Sequence, residues 1–126
     1  MEQFIIDTNV ISHYLSGRIN AENIEVMDEV INAIPNFSII SKIELLSWKT
    51  DTVIEEKIQS LLEESNVFDM TDAIVTNCIN IRRKYKIKTP DAIIAATALV
   101  FNYTLITNNL KDFQHIKGLR TINPLQ

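Results

Sequence analysis

Short apolar runs alternate along this chain with longer segments whose apolar residues recur at helical spacing. Phe4-Ile5-Ile6 ends abruptly on a charge, so residues 3–6 read as a buried strand closed by Asp7. Thr8-Asn9 then starts an apolar stretch that runs through Leu15 and stops at Gly17. A second helix is expected over 22–34, ending before Pro35, because proline disfavours helical geometry in the residue before it. Phe37-Ser38-Ile39-Ile40 reads as the next buried strand. Ser41 follows as the expected N-cap of a helix, with Glu44 three residues on as its capping-box acid.

The second half continues the alternation. Thr52 to Glu64 carries Val53, Ile54, Ile58, Leu61 and Leu62 at helical spacing, and 66–70 reads as a short strand. A helix is expected from Asp72 to Tyr85 with Ile74, Val75, Cys78, Ile79 and Ile81 as its buried stripe. Thr89-Pro90-Asp91 is a strong helix start: a hydroxyl cap, a proline in the first turn, and an acid beside the exposed amides. The Ala92–Leu99 run that follows is rich in small residues and predicts a central, closely packed helix. Residues 103–107 read as a strand, 108–113 as a loop and 119–122 as a last strand. Strands alternating with helices predict an α/β fold: a three-layer α/β/α sandwich with a central, mainly parallel sheet, as one domain over 1–126.

Composition narrows the class. The chain has 126 residues, 46% of them apolar, enough for a core without metal or disulfide staples. Its one cysteine, Cys78, reads as core filler. The longest nearly apolar run, 92–101, is about half of what a bilayer crossing needs, and no export leader is recognisable. A cytoplasmic setting without a membrane span is the expectation.

The net charge of −4 argues at first against a nucleic-acid partner. Its distribution argues otherwise. Residues 1–63 hold 4 basic and 11 acidic side chains, whereas 64–126 hold 8 and 5. Arg82, Arg83, Lys84, Lys86 and Lys88 form one basic run, which reads either as a solvated helix end or as a contact for a phosphate backbone.

In an open parallel sheet, residues after the carboxyl ends of strands gather along one edge, where ligands bind. Asp7 and Asp112 follow strands, Glu44 opens the helix after the second strand, and Asp91 opens the small-residue helix. Each has a plain local role as a cap or turn former. Together they predict one pocket of oxygen ligands, and Asp7 directly after an apolar strand is costly unless paired. Crowded carboxylates raise one another's pKa, and a divalent cation relieves that. Carboxylates suit Mg²⁺ or Mn²⁺ rather than Zn²⁺, and the matching reaction is phosphodiester hydrolysis by an activated water. Thr8 and Thr107 are supporting hydroxyls that also suit ordinary turns. Asp69 and Asp72 read as capping residues, His13 and His115 as local surface groups, and Phe37 and Trp48 as core or partner contacts. With only Gly17 and Gly118, no glycine-rich phosphate loop exists.

Four ordered blocks, Phe4-Ile-Ile-Asp7-Thr-Asn9, Ser41-Lys-Ile-Glu44-Leu, Pro90-Asp91-Ala-Ile-Ile-Ala-Ala-Thr-Ala98 and Leu105-Ile-Thr107-Asn-Asn109-Leu-Lys-Asp112-Phe113, together with the ending Gly118–Pro124, resemble the PIN-domain family. The similarity is closest to its VapC-type toxins and spans nearly the whole chain. It implies an Mg²⁺- or Mn²⁺-dependent endoribonuclease, a homodimer, an RNA substrate and a cognate antitoxin. It implies Asp7, Glu44 and Asp91 as principal metal-binding acids. The last block departs from many relatives, with Asn109 where they have aspartate and Asp112 as the later acid. Competing readings are a catalytically inactive PIN-like interaction protein, a ribosomal-RNA processing nuclease of the same fold, and a phospho-receiver domain. The last lacks its paired-acid segment here.

Overall fold

A computed structural model describes residues 2–124. Five strands, β1 (Phe4–Ile6), β2 (Asn36–Ser38), β3 (Asn66–Phe68), β4 (Thr104–Ile106) and β5 (Thr121–Ile122), form one sheet in the order β3-β2-β1-β4-β5. Every pairing is parallel. The helices are α1 (Thr8–Leu15), α2 (Ala21–Asn32), α3 (Ile39–Ser47), α4 (Thr52–Glu63), α5 (Asp72–Lys84), α6 (Thr89–Phe101) and the short α7 (Leu110–Phe113). Parallel neighbours need crossovers, and the helices supply them while covering both faces of the sheet.

The strands alternate side chains between two apolar clusters. Ile5 and Leu105 join Ile74, Cys78, Ile81, the small residues of α6, Phe113 and Ile116 on one face. Ile6, Phe37 and Ile106 join Val10, Ile11, Met27, Leu45, Ile58 and Leu62 on the other. In α6 every residue from Ala92 to Ala98 is buried. A helix apolar all round belongs in an interior, and the Thr97 hydroxyl is satisfied by donating to Ile93 O at 2.8 Å. The α6 alanines let α5 pack close against it. No described helix is long and apolar enough to cross a membrane.

Several local expectations are corrected. The strand expected at 37–40 ends at Ser38, whose hydroxyl accepts from Ile40 N at 3.2 Å and caps α3. Ile39 and Ile40 are therefore helical despite their β-branched side chains, and Ser41 is a buried helical residue rather than a cap. Glu44 accordingly sits in the second turn, beyond capping-box position. The cap of α6 is Lys88, with extended backbone and no side-chain bond, and Thr89 is the first helical residue. The expected loop 108–113 contains α7. On α5 the buried stripe is Ile74, Cys78 and Ile81, whereas Val75 and Ile79 are exposed because α6 covers only a narrow face. Helix α2 ends at Asn32, and Ile34 takes a positive φ of 58° before Pro35.

Candidate active site

The chain runs β1 to β2 to β3 in one direction from the centre, then returns to place β4 on the other side of β1. Ligands bind open parallel sheets at such a reversal, outside the carboxyl ends of the strands. Asp7 and Thr107 are the residues that leave β1 and β4 at this point, and Asp7 N donates to Ile106 O across it at 2.9 Å. Thr107 Oγ1 donates to Asp7 Oδ2 at 2.8 Å, and both residues are buried. Asp7 is only 5% exposed.

The electrostatics follow from that position. Burial pushes the Asp7 carboxyl up to about 6, the Thr107 hydrogen bond opposes this, and the carboxylates of Asp91 and Glu44 add to the rise. Asp91, in the first turn of α6, is also raised: first by burial, then by the charges of Asp112 and Glu44, with Lys88 opposing. Asp7 thus feels the charges of Asp91 and Glu44, and Asp91 those of Asp112 and Glu44. Among the described residues, no three His, Cys, Asp or Glu side chains stand arranged to hold a metal ion. The carboxylates share a field without closing into a cage.

Neighbouring side chains orient the acids. Thr8 Oγ1 donates to Glu44 Oε1 at 2.7 Å and is hydrogen-bonded to Ser41 Oγ at 3.0 Å, which ties the start of α1 to α3. Asn109 Nδ2 donates to Asp112 Oδ2 at 2.6 Å, and Asn109 N donates to Thr107 Oγ1 at 3.0 Å. Phe113, fully buried, anchors α7 beneath Asp112. Thr8, Thr107 and Asn109 thus touch the acids directly.

The basic run divides. Arg82, Arg83 and Lys84 form the last turn of α5, where cations suit the helix dipole. Arg82 Nε donates to Ile87 O at 3.4 Å, and Lys84 lies 5.5 Å from the centre of the Tyr85 ring. Lys86 is exposed, and Lys88 acts on Asp91. Asp69 and Asp72 stand at the entrance of α5, where Thr71 Oγ1 accepts from Ile74 N. Burial pushes the Cys78 thiol up, in keeping with core filler. Tyr85 and His115 meet edge to face.

Sequence reasoning missed a contact beside the acids: Asn108 Nδ2 lies 2.9 Å from His13 Nδ1. The signal available was the run Thr107-Asn108-Asn109, three polar residues directly after an apolar strand.

The Thr107 contact yields a prediction. Thr107→Val removes the one hydroxyl that favours ionised Asp7, so the Asp7 pKa rises above about 6. Carboxyl NMR titration of metal-free protein reads the shift directly, and an unchanged midpoint would contradict the assigned bond.

Comparison with known proteins agrees with this geometry. The family model of the PIN domain matches residues 4–119. The ribonuclease VapC1 of Rickettsia felis is 44% identical over 41 residues, a match spanning 32% of this chain and 31% of that protein. A toxin–antitoxin complex from Klebsiella pneumoniae contains a chain 28% identical to this one, with TM-score 0.75 and 98% of both chains covered. VapBC-1 from nontypeable Haemophilus influenzae gives 25% identity, TM-score 0.78 and 98% coverage of both chains. DNA-bound VapBC from Salmonella typhimurium, at 22% identity and TM-score 0.78 over 98% of this chain and 99% of that one, shares the fold. Since the PIN-domain match runs from β1 past β4 and α7 and takes in Asp7, Glu44, Asp91 and Asp112, this chain belongs to the PIN-domain family.

Proposed function

We propose that the protein is a VapC-type toxin: an endoribonuclease that hydrolyses RNA phosphodiester bonds with Mg²⁺ or Mn²⁺ and is neutralised by a cognate antitoxin, working as a homodimer in the cytoplasm. The observation that carries the reading is the set of four carboxylates in one field at the sheet's reversal point, with Asp7 buried and its pKa about 6. The similarity to VapC1 and to toxin–antitoxin structures supports the substrate class and the antitoxin.

The donor chemistry suits an oxygen-preferring cation, which would draw together carboxylates that do not converge on one point by themselves. All four groups are carboxylates, and two of them carry an ionisation penalty that an adjacent cation removes. Asp7, Glu44, Asp91 and Asp112 would hold it. When bound, such a cation neutralises phosphate charge and makes water acidic enough to serve as a nucleophile near neutral pH. The chain's own residues do the rest. Thr107 fixes the Asp7 carboxylate and Thr8 fixes Glu44, so neither has to be ordered when substrate arrives. Asp7, ionising near pH 6, sheds its proton at working pH to become a ligand. Asn109 steers Asp112 and makes the last block competent without an aspartate at position 109. Lys88 and the exposed cations before it attract the RNA backbone toward an otherwise repulsive acidic pocket.

Glu44→Gln tests the acids away from the buried pair. It keeps size and polarity at an exposed position, so stability holds, while Mg²⁺-dependent cleavage of RNA falls by roughly 10²-fold. Cleavage within twofold of the native protein would remove Glu44 from the site.

A further inference from the structure

Adjoining the acids lies a cavity of about 370 Å³, lined by Asn9, Ser12, His13, Arg18 and Trp48 together with Thr8 and Glu44 from the acid cluster. Because Glu44 and Thr8 belong to both, whatever occupies the cavity adjoins the reacting phosphate. Three features of its wall are built rather than incidental.

First, Gly17 takes φ +72°, and Arg18 N donates back to His13 O at 2.8 Å while Gly17 N donates to Tyr14 O. This is the paired closure that ends a helix with a left-handed glycine. It turns the chain so that exposed Arg18 returns to the end of α1 instead of leaving it. Second, Asn108 Nδ2 lies 2.9 Å from His13 Nδ1, which ties His13 to the segment that carries Thr107 and Asn109. Third, Ser12 Oγ donates to Asn9 O at 2.9 Å, so its lone pairs remain to accept. Trp48, half-buried just past the end of α3, adds an aromatic side chain to the lining.

A guanidinium, an aromatic face and small polar groups are what a single nucleotide of a flexible strand requires: a phosphate partner, a stacking platform, and an acceptor for the ribose 2′-hydroxyl. We propose that this cavity seats the nucleotide flanking the scissile phosphate, with Trp48 against the base, Arg18 at the next phosphate, and Ser12 and His13 at the ribose and base edge. This deepens the nuclease reading and rests on it for the position of the reacting phosphate. The pocket makes Trp48 and Arg18 determinants of affinity and Ser12 a determinant of RNA over DNA.

Trp48 is the only tryptophan of the chain, so its fluorescence reports the cavity directly. Asp7→Asn protein, kept in EDTA to suppress cleavage, is titrated with an rA hexamer and a dA hexamer, each also end-labelled for anisotropy. The expected result is saturable quenching by the RNA and weaker binding of the DNA. Arg18→Ala in that background should reduce the slope of log affinity against log salt by about 1. Trp48→Leu, followed by anisotropy, should weaken binding roughly tenfold, and a circular dichroism spectrum confirms that it folds. RNA binding by anisotropy with unchanged Trp48 emission, or an unchanged salt slope in Arg18→Ala, would overturn the proposal. Quenching by a peptide partner but by neither hexamer would assign the cavity to protein contact and overturn it as well. The titration needs no cleavage, so it decides the pocket even if native protein with Mg²⁺ leaves RNA intact, a result that would instead remove the nuclease reading.

Discussion

Asp7→Asn is expected to cut RNA cleavage severely and, in the same molecule, to raise the stability of the metal-free protein. The two effects share one cause. Asp7 is buried among other carboxylates, and its folded-state pKa stands at about 6 against an ordinary 3.8. Between those values the native state keeps a proton that the unfolded chain has released. Stability of the metal-free protein therefore falls as pH rises through about 4 to 6, and the penalty is absent below that window and complete above it. At pH 7 it amounts to about 3 kcal/mol, of which a neutral amide recovers about 2–3 because it still accepts from Thr107. For a domain of this size that is a gain in Tm of roughly 10 °C. Cleavage should fall by roughly 10²–10³-fold, the scale of removing one group that stabilises charge in a transition state. Thermal melts from pH 4 to 8 check the stability half: the native Tm drops across the window and the variant's does not. A variant that is less stable than native protein at pH 7 would show that ionised Asp7 is already compensated within the fold.

Phe113→Ala is expected to produce the largest loss of stability among substitutions near the site. Phe113 is fully buried and packs in the cluster that includes Ile5, Ala92 and Leu105, residues of two strands and of α6. Truncation leaves a cavity where helix and sheet meet, and such changes cost about 3–5 kcal/mol. Its neighbours give it a functional consequence. A four-residue helix has little stability of its own, so α7 holds Asp112, and with it the Asn109 contact, only while Phe113 is seated. Denaturant melts should show the full loss. At a temperature where the variant remains folded, cleavage should still decline by more than the folded fraction accounts for. Lys111→Ala, exposed on the same helix, should change neither quantity. If Phe113→Ala keeps full activity per folded molecule, α7 does not position an essential acid.

Much of this site was legible along the chain because its logic is local. Asp7 follows three apolar residues with no room for a surface charge, and Pro90-Asp91 opens a run of alanines that only an interior accommodates. What escaped depended on atoms distant in sequence. Ser41, with Glu44 three residues on, fits a capping box on paper, yet the cap is Ser38. Ser38 prevails because β2 pairs with its neighbours for only three residues, which leaves Ile39 and Ile40 to the helix. Val75 and Ile79 fit a helical stripe, yet the breadth of that stripe is set by the neighbouring α6, not by α5 itself. Asn36, just before the expected strand, drew no role from the sequence. In the fold it is buried, donating to Phe4 O at 2.8 Å and accepting from Asn66 Nδ2 at 3.1 Å, and so links three strands. The pairing of Thr8 with Glu44 and of His13 with Asn108 spans 36 and 95 residues, beyond any periodicity. The acids could be chosen by position, but the groups that orient them required the sheet order.

The family resemblance left the last acid open, and the geometry gives a physical reason for its form here. Asn109 cannot be an anionic ligand, but its amide donates to Asp112 and its backbone N–H to the hydroxyl that holds Asp7. A single residue thereby connects the acid of β1 to the acid of α7 through Thr107. An aspartate in its place would add a like charge beside Asp112 and remove the amide donor.

The proposed activity is that of a cation-dependent nuclease built on these four carboxylates. The most direct test is endonucleolytic cleavage of a mixed tRNA and rRNA substrate by purified, antitoxin-free protein, in Mg²⁺ or Mn²⁺ and in EDTA, with Asp7→Asn run in parallel. Native protein is expected to cleave only with the cation, and the variant not above background. Equal cleavage by the two proteins, or cleavage that persists in EDTA, would contradict it.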